Sequence, residues 1–298
     1  MEIAGLRLKN PTMLASGILG VSPPLLRRVA EAGAGAVITK SLGLKPRDGY
    51  PNPSVIEVDC GLLNAVGLPN PGVKKFMDEM REIGPLPTPL IVSVYGSSPE
   101  EYAEVAEVAV KGGADAIELN LSCPHISGLG SEIGRDPGLL AEVVRAVKGR
   151  VDKPVMAKLT PNVADIASLA EAAADAGADA ITAVNTLRAM AIDVETGRPI
   201  LSNKFGGLSG RAIKPIAVRC VYEIYEAVDI PVIGCGGVTT WRDAVEFFLA
   251  GASAVQVGTA IAYGGLDVFR SICDGVKSYL KRKGYGSVSE VVGLSHRA

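Results

Sequence analysis

The sequence predicts an α/β fold, a (β/α)8 TIM barrel with inserted loops over its carboxyl-terminal mouth, and two repeated patterns are the main observations behind this prediction. In the first pattern the alanine-rich end of a helix is followed by a glycine and a short apolar strand. It occurs at 31–40, 111–120, 175–184 and 249–258. In the second pattern a proline precedes a short apolar strand, as at 88–96, 153–161 and 230–238. Strands that alternate with helices in this way are typical of a parallel sheet.

The predicted strands are apolar throughout, as expected for parallel strands that are covered on both faces. They are 12–16, 36–40, 90–94, 115–120, 154–159, 179–184, 231–235 and 254–258. A doubly wound sheet would show Gly-x-Gly-x-x-Gly after its first strand. Because the first strand ends in Ala15-Ser16-Gly17 without that motif, eight strands indicate a barrel, and we interpret 1–298 as one domain.

Glycines and prolines mark the ends of the elements between these strands. Gly33, Gly113, Gly177 and Gly251 are expected to end helices in a left-handed conformation. Ser98-Pro99, with a capping-box glutamate at 101, and Asp136-Pro137 predict helix starts, and Gly149 predicts a helix end. The stretches 41–87 and 185–210 are too long for ordinary connections, so we interpret both as structured insertions over the mouth.

Composition excludes several classes of function. A net charge of −2 predicts no nucleic-acid partner, and no stretch is apolar and long enough to predict a membrane span. The five cysteines are scattered, with no Cys-x-x-Cys pair, which predicts a cytoplasmic protein with reduced thiols and no iron–sulfur cluster of its own. Two histidines make a histidine-rich metal site an unfavoured interpretation, so no metal is expected.

Polar residues and glycines cluster where the predicted strands end, which is where barrel enzymes place their active sites. These positions are Thr39-Lys40-Ser41, Asn120, Lys158, Asn185-Thr186, Gly236-Gly237 and Gly258-Thr259. The glycines after the seventh and eighth strands predict a phosphate site built from backbone N–H groups and the start of the last helix. The alternative is that these glycines only make tight turns.

Lys158 and Cys123 each have two interpretations from the residues alone. Lys158 ends an apolar strand, so its buried ammonium could pair with Glu118 or face an electron-rich ligand such as a reduced flavin. Cys123 lies in a polar loop after the fourth strand, where a thiol could act as a base or nucleophile. It could equally be a small buried apolar residue.

The motifs together resemble the class 1 dihydroorotate dehydrogenase family. Glu-Leu-Asn-Leu-Ser-Cys-Pro at 118–124 is similar to that family's catalytic loop, and 64–72 is similar to its substrate loop. The segments similar to its flavin-binding motifs are 15–17, 39–41, 206–215, 234–238 and 254–260. The likeness keeps the order of the motifs along nearly the whole chain.

The resemblance implies that dihydroorotate is oxidised to orotate in pyrimidine biosynthesis, with Cys123 taking a proton from C5 and a hydride passing from C6 to N5 of FMN. It implies a substrate site formed by Lys40, Asn64, Val66, Gly67, Leu68, Asn120, Asn185 and Thr186. It implies an FMN site formed by Ala15, Ser16, Gly17, Lys40, Ser41, Asn120, Lys158, Gly207, Gly236, Gly237, Gly258 and Thr259.

The stretches 134–148 and 207–215 are similar to class 1B, which implies a partner subunit with FAD and an iron–sulfur cluster, NAD as acceptor, and a homodimer core in a heterotetramer. Three residues depart from the family pattern: His125 and Ser93 stand where asparagine is usual, and Arg211 stands where proline is common. The alternatives are a class 1A-like fumarate-reducing enzyme, another FMN barrel oxidoreductase such as a dihydropyrimidine dehydrogenase, and a non-redox phosphate-binding lyase or isomerase. A dihydrouridine dehydrogenase, also an FMN barrel, would need a basic surface for tRNA.

Overall fold

A closed barrel of eight parallel strands forms the centre of the computed structural model, which describes residues 1–121 and 133–297. The strands are β1 (Thr12–Leu14), β2 (Ala36–Ile38), β3 (Leu90–Val94), β4 (Ala116–Asn120), β5 (Val155–Leu159), β6 (Ala180–Ala183), β7 (Val232–Cys235) and β8 (Ala252–Val257). They pair around the barrel in chain order, and β8 closes it against β1. The predicted fold class is confirmed, and each predicted strand overlaps an observed one.

Helices follow each strand and cover the outside of the barrel. They are α1 (Pro23–Glu31), α2 (Val73–Ile83), α3 (Pro99–Lys111), α4 (Pro137–Lys148), α5 (Ala167–Asp175), α6 (Lys214–Ala227), α7 (Trp241–Leu249), the short α8 (Ala260–Gly264) and α9 (Val268–Lys283). The predicted starts of α3 and α4 are confirmed, because the side chains of Ser98 and Asp136 accept hydrogen bonds from the first turns. The predicted capping box of α3 is wrong in one detail: the Glu101 carboxylate accepts from the Ser97 backbone N–H rather than from that of Ser98.

The four glycines of the first sequence pattern have the backbone conformation that the pattern predicts. Their φ angles are +115° at Gly33, +107° at Gly113, +97° at Gly177 and +117° at Gly251. Residues with a Cβ rarely adopt such positive φ angles, so glycine lets the chain leave each helix and enter the next strand directly.

The first insertion is shorter than the predicted 41–87, and the two insertions pair with each other. Residues 73–83 form α2, the second helix of the barrel, whose Val73, Phe76, Met77 and Met80 are buried at helical spacing. The first insertion therefore ends before α2. It contains a hairpin of Val55–Val58 and Gly61–Asn64, which pairs with Phe205–Ser209 and, beyond that, Leu187–Met190 of the second insertion. The two insertions thus form one antiparallel sheet of four strands.

Apolar side chains fill the amino-terminal half of the barrel. Met13, Ile38, Ile91, Met156 and Ile233 point inward, and none is accessible to solvent. The amino-terminal hairpin of Glu2–Ile3 and Leu6–Arg7 packs against this layer and covers that end of the barrel. The polar positions of the strands are thereby concentrated at the carboxyl-terminal mouth.

The second insertion also exposes apolar side chains to solvent. Val194 is 88% exposed at the tip of a small hairpin formed by Ile192–Asp193 and Arg198–Pro199, and Ile192 is 53% exposed. Within 1–121 and 133–297, no helix combines the length and the apolar character needed to cross a membrane.

Candidate active site

A cavity of about 800 Å³ lies at the mouth of the barrel, between the strand ends and the four-stranded sheet of the insertions. Residues from distant parts of the chain line it. They include Ala15, Ser16, Gly17, Lys40, Ser41, Asn64, Val66, Gly67, Leu68, Asn120, Lys158, Asn185, Thr186, Gly207, Gly236, Gly237, Gly258 and Thr259. Every predicted site residue in the described part of the chain lies on this wall except Ser93.

Ser93 lies behind the wall rather than on it. Its side chain is fully buried, and its Oγ is 2.9 Å from Ser41 Oγ and 3.4 Å from Ser16 Oγ. The side chains of Ser16 and Ser41 therefore stand between Ser93 and the cavity. The predicted catalytic Cys123 and the uncertain His125 lie outside the described residues. Arg211 is exposed and starts a short 3-10 helix, Arg211–Ile213, that leads into α6.

Hydrogen bonds fix the orientation of the asparagine side chains at the open end of the cavity. Asn120 Nδ2 donates to Ser41 Oγ over 2.9 Å, and Asn120 Oδ1 accepts from Asn185 Nδ2 over 3.3 Å. On the opposite wall, Asn64 Nδ2 donates to the carbonyl oxygen of Gly207 over 3.1 Å. Amides held in this way present donors and acceptors in fixed directions, which suits a planar ligand with amide groups.

A cation stands next to these amides. Lys40 Nζ is 3.9 Å from the position that a Cβ on Gly17 would occupy, so the missing side chain of Gly17 leaves space beside the ammonium. A carboxylate on a ligand could occupy such a space and form a charge-assisted hydrogen bond.

Backbone geometry makes the opposite end of the cavity suitable for an anion. Gly236 and Gly237, just after β7, have φ angles of +131° and +76°. A Cβ on Gly237 would lie 2.8 Å from the Gly210 carbonyl oxygen, and one on Gly236 would lie 2.8 Å from Ala217 Cβ. Only glycine therefore fits this turn, and its bare backbone can approach a phosphate closely.

Asp243, in the first turn of α7, holds this glycine turn in place. Its carboxylate accepts hydrogen bonds from the backbone N–H and hydroxyl groups of Thr239 and Thr240, at distances between 2.8 and 3.1 Å. Lys214 Nζ lies 3.0 Å from the same carboxylate. Burial raises the pKa of Asp243, but the bonds from Lys214, Thr239 and Thr240 outweigh it and lower the pKa to about 2.

The prediction for the eighth strand needs a correction. Gly258 and Thr259 do line the cavity, but they precede α8, which has only five residues, and the last helix is α9. A helix this short has a weak macrodipole. The anion-binding character of this end therefore depends on backbone N–H groups rather than on a long helix, since the Thr259 hydroxyl donates to Ser209 Oγ.

Both interpretations of Lys158 agree with its position. Its Nζ lines the cavity, lies 3.6 Å from Glu118 Oε1 and donates to Gln256 Oε1 over 2.8 Å. Burial by itself lowers the pKa of the ammonium, but Cys235 and Glu118 raise it, and the net pKa lies above the ordinary value. Burial raises the pKa of the Cys235 thiol. Lys158 is therefore a cation at neutral pH.

Several cavity residues were not predicted from the sequence. Gln256 could have been found, because it is a polar residue inside the apolar strand Ala252–Val257. Asn162 and Arg188 gave no such signal: the backbone N–H of Arg188, in the insertion strand Leu187–Met190, donates over 2.8 Å to Oδ1 of Asn162, in the turn after β5. In the described part of the chain, no group of three or more His, Cys, Asp and Glu side chains is placed to hold a metal ion.

The fold and the site together define a (β/α)8-barrel enzyme with an anion cradle at one end of its cavity and fixed amides and a cation at the other. The family model for dihydroorotate dehydrogenase matches residues 1–280. Because this match covers most of the chain, the chain belongs to the dihydroorotate dehydrogenase family and is an oxidoreductase. The resemblance noted from the motifs is confirmed.

Relatives with the same overall length support this assignment. The chain is 56% identical over 297 residues to "Dihydroorotate dehydrogenase B (NAD(+)), catalytic subunit" of Pyrococcus furiosus, a match that covers 100% of this chain and 98% of the relative. It is 52% identical over 297 residues to the protein of the same name from Methanosarcina acetivorans, covering 99% of this chain and 95% of the relative.

A solved structure supports the fold. DHODH in complex with ferulenol from Eimeria tenella superposes with a TM-score of 0.86 and covers 100% of this chain and 88% of the other. The two sequences are 23% identical, so this likeness is evidence for the shared fold alone.

Proposed function

We propose that the chain oxidises dihydroorotate to orotate with bound FMN, as the catalytic subunit of a class 1B enzyme of pyrimidine biosynthesis. The observation on which this proposal chiefly depends is the high identity over the full length to relatives that are named as type B catalytic subunits. The cavity supports this proposal, because the glycine turn at one end suits the phosphate of FMN. The amides and Lys40 at the other end suit the ring and carboxylate of dihydroorotate.

The residues of the cavity fit FMN. A volume of about 800 Å³ lies within the roughly 300–1,000 Å³ of typical small-molecule sites. Gly236, Gly237, Gly258 and Thr259 would hold the phosphate, because a Cβ would fill the turn after β7 and backbone N–H groups suit an anion. Ala15, Ser16, Gly17, Lys40, Ser41, Asn120, Lys158 and Gly207 would hold the ring system. Bound FMN would supply the two-electron acceptor that the oxidation needs.

Dihydroorotate is a cyclic diamide with one carboxylate, and the open end of the cavity offers matching partners. Asn64, Asn120 and Asn185 can donate to the ring carbonyls and accept from the ring N–H groups. Lys40 supplies a positive charge for the carboxylate. Val66, Gly67, Leu68 and Thr186 complete this end, and their positions on separate loops would enclose the substrate and exclude water.

Cys123 is the proposed base. It follows Asn120 by three residues in the sequence, and the chemistry requires a group that accepts the proton from C5 at neutral pH. A thiol meets that requirement better than a serine hydroxyl, because its pKa is closer to neutrality.

The proposed acceptor is NAD, reached through a partner subunit that contains FAD and an iron–sulfur cluster. We further propose a homodimer of this chain as the core of a heterotetramer, a cytoplasmic location, and one domain over 1–298. The name "catalytic subunit" of the relatives supports the existence of a partner. The exposed Val194 and Ile192 support assembly, since an assembly could cover apolar side chains that the isolated chain leaves in water.

An anaerobic titration tests the proposed reaction. The purified chain should be yellow, and stoichiometric dihydroorotate should bleach the flavin absorbance while orotate appears. Dihydrouracil, which lacks the carboxylate, should bleach it far more slowly. A colourless protein would support the phosphate-binding lyase or isomerase, and equal rates with dihydrouracil would support a dihydropyrimidine dehydrogenase.

A further inference from the structure

A layer of polar side chains crosses the barrel between the apolar layer and the cavity. Glu118 of β4, Lys158 of β5, Thr182 of β6 and Gln256 of β8 each point into the barrel, and each is at least nine-tenths buried. Aliphatic side chains fill the layer below. The proposed phosphate and substrate contacts do not use Glu118, Thr182 or Gln256, so this layer needs a separate explanation.

Gln256 bridges the two charged members of the layer. Its Oε1 accepts from Lys158 Nζ over 2.8 Å, and its Nε2 donates to Glu118 Oε2 over 2.5 Å. Thr182 Oγ1 donates to the same carboxylate oxygen over 3.1 Å. Two donors directed at one oxygen of Glu118 indicate a carboxylate, and the fixed amide of Gln256 gives the Lys158 ammonium one defined direction.

Stability does not account for this pair. A buried ion pair loses the hydration of both charges, and replacing such a pair by apolar residues is often neutral or stabilising. Glu118 is fully buried, and among the described residues no hydrogen-bond donor reaches its Oε1, which lies 3.6 Å from Lys158 Nζ. The pair is therefore better explained by the charge that it presents to the cavity above it.

We propose that Glu118, acting through Gln256, positions the Lys158 ammonium at the cavity floor and offsets its charge, so that Glu118 lowers the reduction potential of the bound flavin. This inference depends on the proposed function, because it requires FMN above Lys158. An uncompensated ammonium there would stabilise the additional negative charge of a reduced flavin. Glu118 limits that effect and is a positioning residue, since Lys158 separates it from the cavity.

The test is the midpoint potential of the flavin in Glu118→Gln, measured at pH 6 by equilibration with a reference dye. The variant keeps the size of the side chain and removes one negative charge. We expect the ratio of its affinity for reduced FMN to its affinity for oxidised FMN to be at least tenfold higher than in the unaltered protein. For a two-electron couple this ratio is a rise of about 30 mV.

Two further variants separate charge from packing. Thr182→Val removes one hydrogen bond to the same carboxylate but no charge, and Glu118→Asp keeps the charge on a shorter side chain. Both should keep potentials close to that of the unaltered protein. An unchanged potential in Glu118→Gln, or equal shifts in all three variants, would overturn the inference. Failure of the unaltered protein to bind FMN would overturn both the inference and the proposed function, whereas bound FMN with an unchanged potential would overturn the inference alone.

Discussion

Cys123 is the residue on which the proposed proton transfer depends. The sequence around it is similar to the catalytic motif of the family, and Asn120, three residues earlier, is held by Ser41 and Asn185 at the edge of the cavity. A base in this position would act on a substrate whose ring is fixed by those amides. In the proposed mechanism, substrate binding and proton transfer are therefore carried out by different residues.

Replacing Cys123 by alanine should slow flavin reduction by dihydroorotate about 10²- to 10⁴-fold at neutral pH, because the base is lost. FMN should stay bound, because the residues proposed to hold its phosphate are unchanged. Cys123→Ser should retain more activity, with its optimum at higher pH. Anaerobic stopped-flow absorbance measures both rates. Cys60→Ser is the control, since Cys60 is exposed on the insertion hairpin and should leave the rates unchanged. Normal rates in Cys123→Ala would remove Cys123 from the mechanism.

Ser93 acts on the site through a second residue. Ser41 accepts from Asn120 Nδ2 and lies 2.9 Å from Ser93, so the three side chains form a hydrogen-bonded chain that ends at the cavity. The family resemblance implies an asparagine at this position, and the serine found here is separated from the cavity by Ser16 and Ser41.

We expect Ser93→Ala to lower kcat/KM for dihydroorotate about fivefold, because one buried hydrogen bond contributes about 1 kcal/mol and its loss frees the Asn120 amide. Steady-state kinetics with an artificial electron acceptor measures this change. Thr12→Val removes a buried hydroxyl at the opposite end of the barrel, 2.7 Å from Asn10 Oδ1, and should affect stability but not KM. Equal kinetic effects of the two substitutions would contradict a specific role for Ser93.

At the level of elements, the turn between β7 and α7 shows how a helix cap can shape a binding site. The Asp243 carboxylate binds Thr239, Thr240 and Lys214 at once, and these contacts fix the glycine turn that precedes them. The cap therefore stabilises the helix and the proposed phosphate cradle together. The sequence predicted the cradle from its glycines but not the aspartate that holds it.

Asp243→Asn should destabilise the fold by about 2 kcal/mol at pH 7, since the pKa is lowered from 3.8 to about 2. A lowered pKa stabilises the folded state above the ordinary pKa, and this contribution is lost as the pH falls through about 2. The difference in the free energy of unfolding between the variant and the unaltered protein should thus be largest above pH 5 and decrease towards pH 2. Denaturant unfolding at several pH values measures it.

Glu246→Gln is the matched control for this experiment. Glu246 also binds Lys214, over 2.6 Å, but its side chain is about half exposed, so its removal should cost less than about 1 kcal/mol. Asp243→Asn should also weaken FMN binding, and Glu246→Gln should not. A pH-independent loss of stability in Asp243→Asn would contradict the role of its charge.

At the scale of the whole molecule, the barrel and the insertions have separate tasks. The barrel brings eight strand ends to one mouth, and the insertion sheet covers that mouth with strands from two distant segments, registered at Asn64 and Gly207. The cavity forms only where these two parts meet. Electron transfer to the proposed partner subunit would then occur across the surface of this assembly.

The isolated chain should reduce an artificial dye with dihydroorotate but should not reduce NAD, because the proposed partner carries the groups that pass electrons to NAD. Adding that partner should restore NAD reduction. Fumarate serves as the comparison acceptor, and rapid fumarate reduction by the isolated chain would favour a class 1A-like enzyme. Efficient NAD reduction by the chain alone would contradict the proposal that a partner subunit passes the electrons to NAD.

The sequence by itself determined the barrel and its strand ends, because apolar strands, helix caps and glycine turns are local signals that repeat with the fold. The family motifs in it indicated many of the residues that line the cavity, but not Asn162, Arg188 or Gln256. It did not determine that residues 73–83 belong to the barrel or that the insertions pair as one sheet. The pairing of Lys158 with Glu118 was one interpretation of the sequence, but the contacts of Gln256 and Thr182 to this pair were left to the tertiary structure. Strand pairing and buried polar contacts join residues that are far apart in the chain, so only the closed barrel decides which of them meet.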